Sequence, residues 1–303
     1  MTDFPLISGI FPAALTMFTD EGKLDEAGTV QHVEYLIRSG AHGLIACGTS
    51  GEFIAMTNEE RLRVIGWIVQ AAAGRVPVYA GAGHYSTQLT IELCQAAEKA
   101  GADGLILILP YYQKPPKEAI FQHFRTVRRE TSLPMMLYNN PGYAGCVELT
   151  PRDVAALVEE DVFQSIKSTF ESVVPVHDLL YLCSDRLRVF YGSFKAPLEA
   201  LLAGAHGWIS GFLNFLTADC VALYDACAAG DVVKARAAWY KLLPFIHVYT
   251  HQTLGPVNDL AIYRAGLELI GQYGGYSRAP FYPLTDDQRA RLKELIRQEG
   301  ILQ

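Results

Sequence analysis

Short apolar runs alternate with amphipathic, helix-spaced segments eight times between residues 7 and 211, and this alternation restricts the chain to a parallel α/β architecture. Parallel strands need a crossover between them, and a helix is the usual crossover. The strands are expected at residues 7–18, 43–48, 76–81, 104–110, 134–139, 162–167, 187–191 and 207–211. Helical segments separate them at 24–39, 59–73, 86–100, 117–130, 150–159, 173–183 and 196–203. Local signals support these boundaries. Thr57-Asn58-Glu59-Glu60 reads as a capping box, and Ser86 as a cap. Thr150 followed by Pro151 is a strong helix start, and Gly40 and Gly101 are stops. Eight such units predict a (β/α)8 TIM barrel.

From residue 217 the strand signals cease. Residues 218–229, 232–247, 257–273 and 286–299 all read as helices. The first closes the barrel and the rest form a helical extension. The expected organisation is a barrel over 1–229 with a C-terminal appendage over 230–303. No linker composition separates the two, so the appendage is expected to pack on the barrel.

The chain has 303 residues, of which 50% are hydrophobic and 19% charged, enough to bury a large core. Its net charge of −7 and the absence of a basic run leave no electrostatic footprint for nucleic acid. No run of 18 apolar residues suggests a membrane-spanning helix. The first residues lack a basic stretch followed by an apolar one, so no signal peptide is read. Cys47, Cys94, Cys146, Cys183, Cys220 and Cys227 are scattered, with no Cys-x-x-Cys pair. They read as reduced core thiols of a cytoplasmic protein.

In such a barrel, chemistry sits at the C-terminal ends of the strands. Strand two runs into Gly48-Thr49-Ser50-Gly51-Glu52, and strand four into Pro110-Tyr111-Tyr112. Strand five runs into Tyr138-Asn139-Asn140-Pro141-Gly142, and strand six ends in Lys167. Strand seven ends in Gly192-Ser193 and strand eight near Ile209-Ser210. A lysine at a buried strand end is unusual unless something pairs or uses it. A desolvated amine can be neutral near pH 7 and attack a carbonyl to form a Schiff base. The plain alternative is a lysine that faces solvent or pairs with a carboxylate.

The other positions have both chemical and plain readings. Gly48-Thr49-Ser50-Gly51 can offer N–H groups and hydroxyls to a carboxylate, or be a tight turn. Tyr138 can move protons, or pack in the core. Tyr111 and Tyr112 suit packing or an interface. Glu52 suits a base, a cap or a salt bridge. Lys195, the other lysine near a strand end, sits two residues into its loop. Only His247 and His251 share helical spacing, and Val248 stands where a zincin would carry its glutamate. No metal site is read from the histidines, and no Gly-x-Gly-x-x-Gly or P-loop occurs.

Taken together, these stretches resemble the dihydrodipicolinate synthase/N-acetylneuraminate lyase family of class I Schiff-base aldolases and lyases. The resemblance rests on Gly48-Thr49-Ser50-Gly51-Glu52, Pro110-Tyr111-Tyr112, Leu137-Tyr138-Asn139, Ile166-Lys167 and Gly207-Trp208-Ile209-Ser210. Gly9-Ile10-Phe11-Pro12-Ala13 with Thr16 is similar to the family's first strand. The resemblance implies Lys167 as the Schiff-base lysine for pyruvate or a related 2-oxo acid. It implies Tyr138 as the proton-transfer residue, with Thr49 relaying to Tyr112, which would enter a neighbouring subunit's site. Gly48, Thr49 and Ser50 would hold the 2-oxo acid carboxylate. Asn140, Tyr143, Gly192 and Ile209 would complete the substrate site. A homotetramer built as a dimer of dimers is implied, and no cofactor.

One position departs from the family's lysine-pathway synthases. Those carry an arginine for the second substrate's carboxylate where this chain has Tyr143 in Pro141-Gly142-Tyr143-Ala144-Gly145. Tyrosine cannot make a bidentate charged pair. The resulting expectation is a lyase of aldolase, dehydratase or deaminase type acting on a short hydroxylated 2-oxo acid. The alternatives are a 4-hydroxy-tetrahydrodipicolinate synthase and a silent barrel that senses 2-oxo acids.

Overall fold

The caps fix where the helices begin. Glu60 N donates to Thr57 Oγ1 at 3.2 Å, and Thr57 N donates to the Glu60 carboxylate at 3.0 Å, completing the capping box read from sequence. Thr150 and Asp153 form a second box ahead of Pro151. The computed structural model describes residues 4–144 and 148–301, and the side chains of residues 143 and 144 lie outside that description.

In chain order the elements are β1 (Gly9–Pro12), α1 (Glu26–Arg38), β2 (Leu44–Ala46), α2 (Asn58–Ala72), β3 (Val78–Gly81) and α3 (Thr87–Lys99). Then come β4 (Gly104–Ile108), α4 (Lys117–Arg129), β5 (Met135–Asn139), α5 (Pro141–Ala144) and α6 (Pro151–Glu159). They are followed by β6 (Ser165–Ser168), α7 (Val174–Cys183), β7 (Arg188–Tyr191), α8 (Pro197–Leu202) and β8 (Gly207–Ser210). Four helices end the chain: α9 (Thr217–Ala228), α10 (Val232–Thr250), α11 (Asp259–Leu269) and α12 (Asp286–Gln298).

All strand pairs are parallel, and the sheet runs β1-β8-β7-β6-β5-β4-β3-β2. A parallel bridge between Ala13 and Ile45, with Ala14 N donating to Ile45 O at 3.0 Å, joins β2 back to the end of β1. The sheet is therefore a barrel, as the eightfold alternation predicts. Inside it, Phe11 meets Phe190 edge-on at 5.2 Å and Tyr79 at 6.4 Å. These rings fill the lower barrel, so side chains above them stand over a packed floor. Gly43 and Gly207 make room: a Cβ on either would fall within 2.2–2.5 Å of the Phe11 or Phe190 rings or of the Gly9 carbonyl.

Several boundaries differ from expectation. Only Gly9–Pro12 of the run 7–18 is a strand. Residues 13–18 are buried: Ala13 and Ala14 still pair with β2, and beyond them Thr16 and Met17 meet Arg264 of α11. β6 starts at Ser165 rather than 162 and continues one residue past Lys167. Val162 and Phe163 are buried ahead of it, with Phe163 against Phe124 at 4.9 Å. α10 continues to Thr250, and α11 stops at Leu269.

The C-terminal helices pack on the barrel. Phe245 of α10 meets Phe215, and Tyr249 meets Phe212. Arg264 of α11 reaches under the β2 loop, where Nη2 donates to Thr16 O at 2.8 Å and to Glu52 Oε1 at 2.7 Å. Among the described residues, no helix is long and apolar enough to cross a membrane.

Candidate active site

Strand pairing brings two of the expected residues together. Tyr138 on β5 and Lys167 on β6 are direct Cα partners. Successive residues of a strand point to opposite faces, so paired positions place both side chains on the same face. Both are nearly enclosed, with Lys167 6% and Tyr138 7% exposed. The Lys167 Nζ lies 4.0 Å from the centre of the Tyr138 ring. Gly192 on the far side keeps space for the lysine stem, because a Cβ there would come within 2.9 Å of Lys167 Cγ and 2.3 Å of Thr169 Oγ1.

The Tyr138 hydroxyl accepts a hydrogen bond from Asn140 Nδ2 at 2.9 Å, and Thr49 lines the same cavity. Burial pushes the phenol up, but the Lys167 charge and the hydrogen bonds with Thr49, Asn140 and Lys167 outweigh it. The net effect holds Tyr138 below the usual phenol value. A phenol so placed gives up its proton more readily than one in water.

The loop after β2 supplies the opposite wall. Cys47 and Glu52 bracket Gly48-Thr49-Ser50-Gly51, and both hold left-handed backbone, with φ 52° and 55°. Such conformations cost non-glycine residues on the order of 1–3 kcal/mol and persist only where the surroundings enforce them. Here the enforcement is visible. The Glu52 carboxylate is buried, takes Arg264 Nη2 at 2.7 Å and accepts from Arg278 N at 3.0 Å. Thr16 Oγ1 donates to Gly51 O at 2.7 Å. Glu52 is thus the salt-bridge partner among its sequence readings. Ser50 lies against the end of β8, where a Cβ on Gly211 would come within 2.2 Å of its Oγ.

Lys167, Tyr138, Thr49 and Gly48 all line one cavity. Ile209 is fully buried on β8, opposite Phe11. Asn140 is buried at the start of the β5 loop. Tyr112 is 92% exposed with φ 76°, so its ring projects away from this chain's own cavity. Tyr111 instead packs edge-on against Phe53 and His84. The Tyr143 side chain is outside the described residues. Lys195 is half-exposed and paired with Glu171, the plain lysine of the two.

The cavity has a charged residue that the sequence reading did not single out. Arg61 is buried, and its Nη2 donates to Gly81 O at 2.6 Å and Gly83 O at 3.2 Å. Its guanidinium lies 5.0 Å from the Phe53 ring centre. Burial pushes its pKa down. The available signal was an arginine on the stripe Arg61, Val64, Ile65, Ile68 and Ala72, otherwise the apolar face of α2. Cys47 also lines the cavity, its thiol pushed up to about 12 by burial, which makes it a poor nucleophile. Among the described residues, no group of three or more His, Cys, Asp or Glu side chains could hold a metal ion.

Comparison with known proteins gives a consistent picture. The family model described as the dihydrodipicolinate synthetase family matches residues 6–299. A 4-hydroxy-tetrahydrodipicolinate synthase of Pelobacter propionicus is 35% identical over 98% of this chain and 100% of its own length. One of Methanothrix thermoacetophila is 34% identical over 96% of each chain. The crystal structure of YagE from E. coli K12, a prophage protein of the dihydrodipicolinic acid synthase family in complex with pyruvate, superposes with TM-score 0.90 at 32% identity. It covers 98% of this chain and 99% of that one.

Proposed function

The chain belongs to the dihydrodipicolinate synthetase family of lyases, and from that premise we propose that it acts without a cofactor on pyruvate or a short hydroxylated 2-oxo acid. The observation that carries this reading is the enclosed Lys167 amine lying 4.0 Å from the Tyr138 ring, in one cavity with Thr49 and Gly48.

Lys167, as the neutral amine, attacks the ketone carbon of the 2-oxo acid. The carbinolamine then loses water to give an imine. The protonated imine draws electrons from the adjacent carbon, so that carbon releases a proton or a carbon fragment and leaves an enamine. The enamine adds an aldehyde, or expels a hydroxyl or amine, and hydrolysis frees the product and regenerates the lysine. Tyr138 takes and returns the protons, a role its lowered pKa supports. Thr49, in the same cavity, relays them onward. Gly48, Thr49 and Ser50 hold the substrate carboxylate, in a loop kept rigid by Glu52 and Arg264. Gly192, Ile209, Asn140 and Tyr143 shape the rest of the site.

The same reading gives a cytoplasmic homotetramer, a dimer of dimers in which Tyr112 completes a neighbour's relay. Its support is the exposure of Tyr112 together with Ile54 and Tyr85. These stand on successive loops beside the packed rings of Phe53, Tyr111 and His84. Three apolar groups left open around one site suit a partner surface.

The curated relatives carry the synthase name, and Tyr143 is what argues for a different second substrate here. The test is a screen of 2-oxo acids and hydroxylated 2-oxo acids, alone and with aldehydes, reading products by mass spectrometry. Turnover of a hydroxylated 2-oxo acid above the pyruvate plus aspartate semialdehyde reaction supports the proposal. The reverse ranking returns the chain to the synthase reading.

A further inference from the structure

Asn140 sits two residues beyond Tyr138, yet its side chain turns back to it. Nδ2 lies 2.9 Å from the Tyr138 oxygen, and both residues are almost fully enclosed. An amide N–H only donates, so in this bond the phenol oxygen is the acceptor. The hydroxyl's own proton must then point elsewhere. The other groups acting on the phenol are Thr49 and Lys167. A donor to an ionisable oxygen also favours its charged form over its neutral one.

We propose that Asn140 is a positioning residue for proton transfer: its amide holds the Tyr138 oxygen and turns the phenol proton toward Thr49 and the Lys167 nitrogen. This rests on the reading of Tyr138 as the proton carrier, and adds to it a residue acting through Tyr138 rather than on substrate. The surroundings leave Asn140 few rivals. From β6, Lys167 is the charged group acting on the phenol. From β4, its strand partner is the apolar Ile108. Glu52 on the β2 loop is committed to Arg264. Arg61 is bonded to the Gly81 and Gly83 carbonyls. The amide is therefore a fixed dipole beside a group whose charged neighbour among the described residues, Lys167, changes protonation during the reaction. By donating to the oxygen it favours the phenolate, so the phenol hands its proton to Thr49 or to the neutral Lys167 nitrogen more readily.

The test titrates the phenol directly in the unliganded full chain, labelled with [ζ-13C]tyrosine, with Tyr138 assigned by its loss in Tyr138→Phe. In Asn140→Ala the Tyr138 midpoint should rise by about one pH unit, the worth of one hydrogen bond to a charged oxygen. In Asn140→Asp, which cannot donate when ionised, it should rise at least as far. In the unmodified protein the Asn140 side-chain amide protons should shift in step with the Tyr138 midpoint, a readout that needs no variant to fold. At a pH below the midpoint, borohydride trapping of pyruvate by Asn140→Ala should be roughly tenfold slower and should recover as pH rises. A Tyr138 midpoint that is the same in the variants, or amide protons indifferent to it, overturns the proposal. If no 2-oxo acid is trapped by the unmodified protein, the lyase reading fails separately, and the titration still decides the role of Asn140.

Discussion

The Lys167 ammonium stands 4.0 Å from the centre of the Tyr138 ring, and the two residues are Cα partners on adjacent parallel strands. The relationship is built into backbone register, so it does not depend on either side chain finding the other. It combines a cation over an aromatic face with a hydroxyl at the ring's edge. The ring stabilises the charged amine, while the hydroxyl offers a route for its proton.

Tyr138→Phe separates these two functions. The ring and its contact with Lys167 persist, and only the hydroxyl is lost. Turnover should fall by about 10²–10⁴, the usual contribution of acid–base catalysis, with little change in substrate affinity. Steady-state kinetics on the best substrate checks this, and an unchanged kcat would make Tyr138 a packing residue.

The pair Glu52–Arg264 should dominate the stability of the β2 loop. Both side chains are buried, 212 residues apart in sequence. Removing one partner leaves a buried charge uncompensated, which typically costs about 3–5 kcal/mol. Arg264→Met or Glu52→Gln should lower the urea midpoint accordingly. Activity should fall with it, because Thr49 and Ser50 hang on that loop. A loss under about 1 kcal/mol in either variant would show that the loop is held by its backbone alone.

Much of this was legible in the chain. Eight apolar runs, two Thr-based helix starts and the polar groups at strand ends were enough for the barrel and for placing Lys167 and Tyr138 at strand ends, because each is a local pattern. What was not legible depends on closure of the barrel. The aromatic floor of Phe11, Tyr79 and Phe190 draws on three distant strands. Arg264 belongs to a helix read only as appendage, and its target is set by tertiary packing. Arg61 was hidden because α2 places it within an apolar stripe, where its partners are carbonyls at and just past the end of β3. The return of Asn140 to Tyr138 needs the backbone path of the β5 loop, and no spacing rule supplies that.

Acid should destabilise the protein through its buried histidines. Burial pushes His32 down to about 4 from an ordinary 6.5, where its Nε2 is 2.8 Å from Asn214 Oδ1. His123 is likewise pushed to about 4. Between those values the unfolded chain binds a proton that the folded chain does not. Stability therefore rises with pH across that window, and is lost as pH falls from 6.5 toward 4. His32 alone is expected to account for about 2–4 kcal/mol. Urea unfolding at pH 7 and pH 4.5 checks the sign, and His32→Gln should flatten the slope. Equal stability at the two pH values would contradict it.

Tyr143→Arg should shift preference toward a second substrate carrying its own carboxylate, since a guanidinium pairs with carboxylate bidentately and a phenol does not. The unmodified protein should show weak condensation of pyruvate with aspartate semialdehyde in a coupled reductase assay. The variant should gain modestly. Robust synthase activity before the substitution would overturn the role given to Tyr143.

The most direct measurement is covalent. The protein should be incubated with pyruvate, reduced with borohydride, digested and mapped by mass spectrometry. One reduced pyruvyl group per chain on Lys167, absent in a folded Lys167→Ala variant, is the predicted result. An adduct on Lys195, or none with pyruvate or any other 2-oxo acid, would contradict the assignment of Lys167 as the nucleophile.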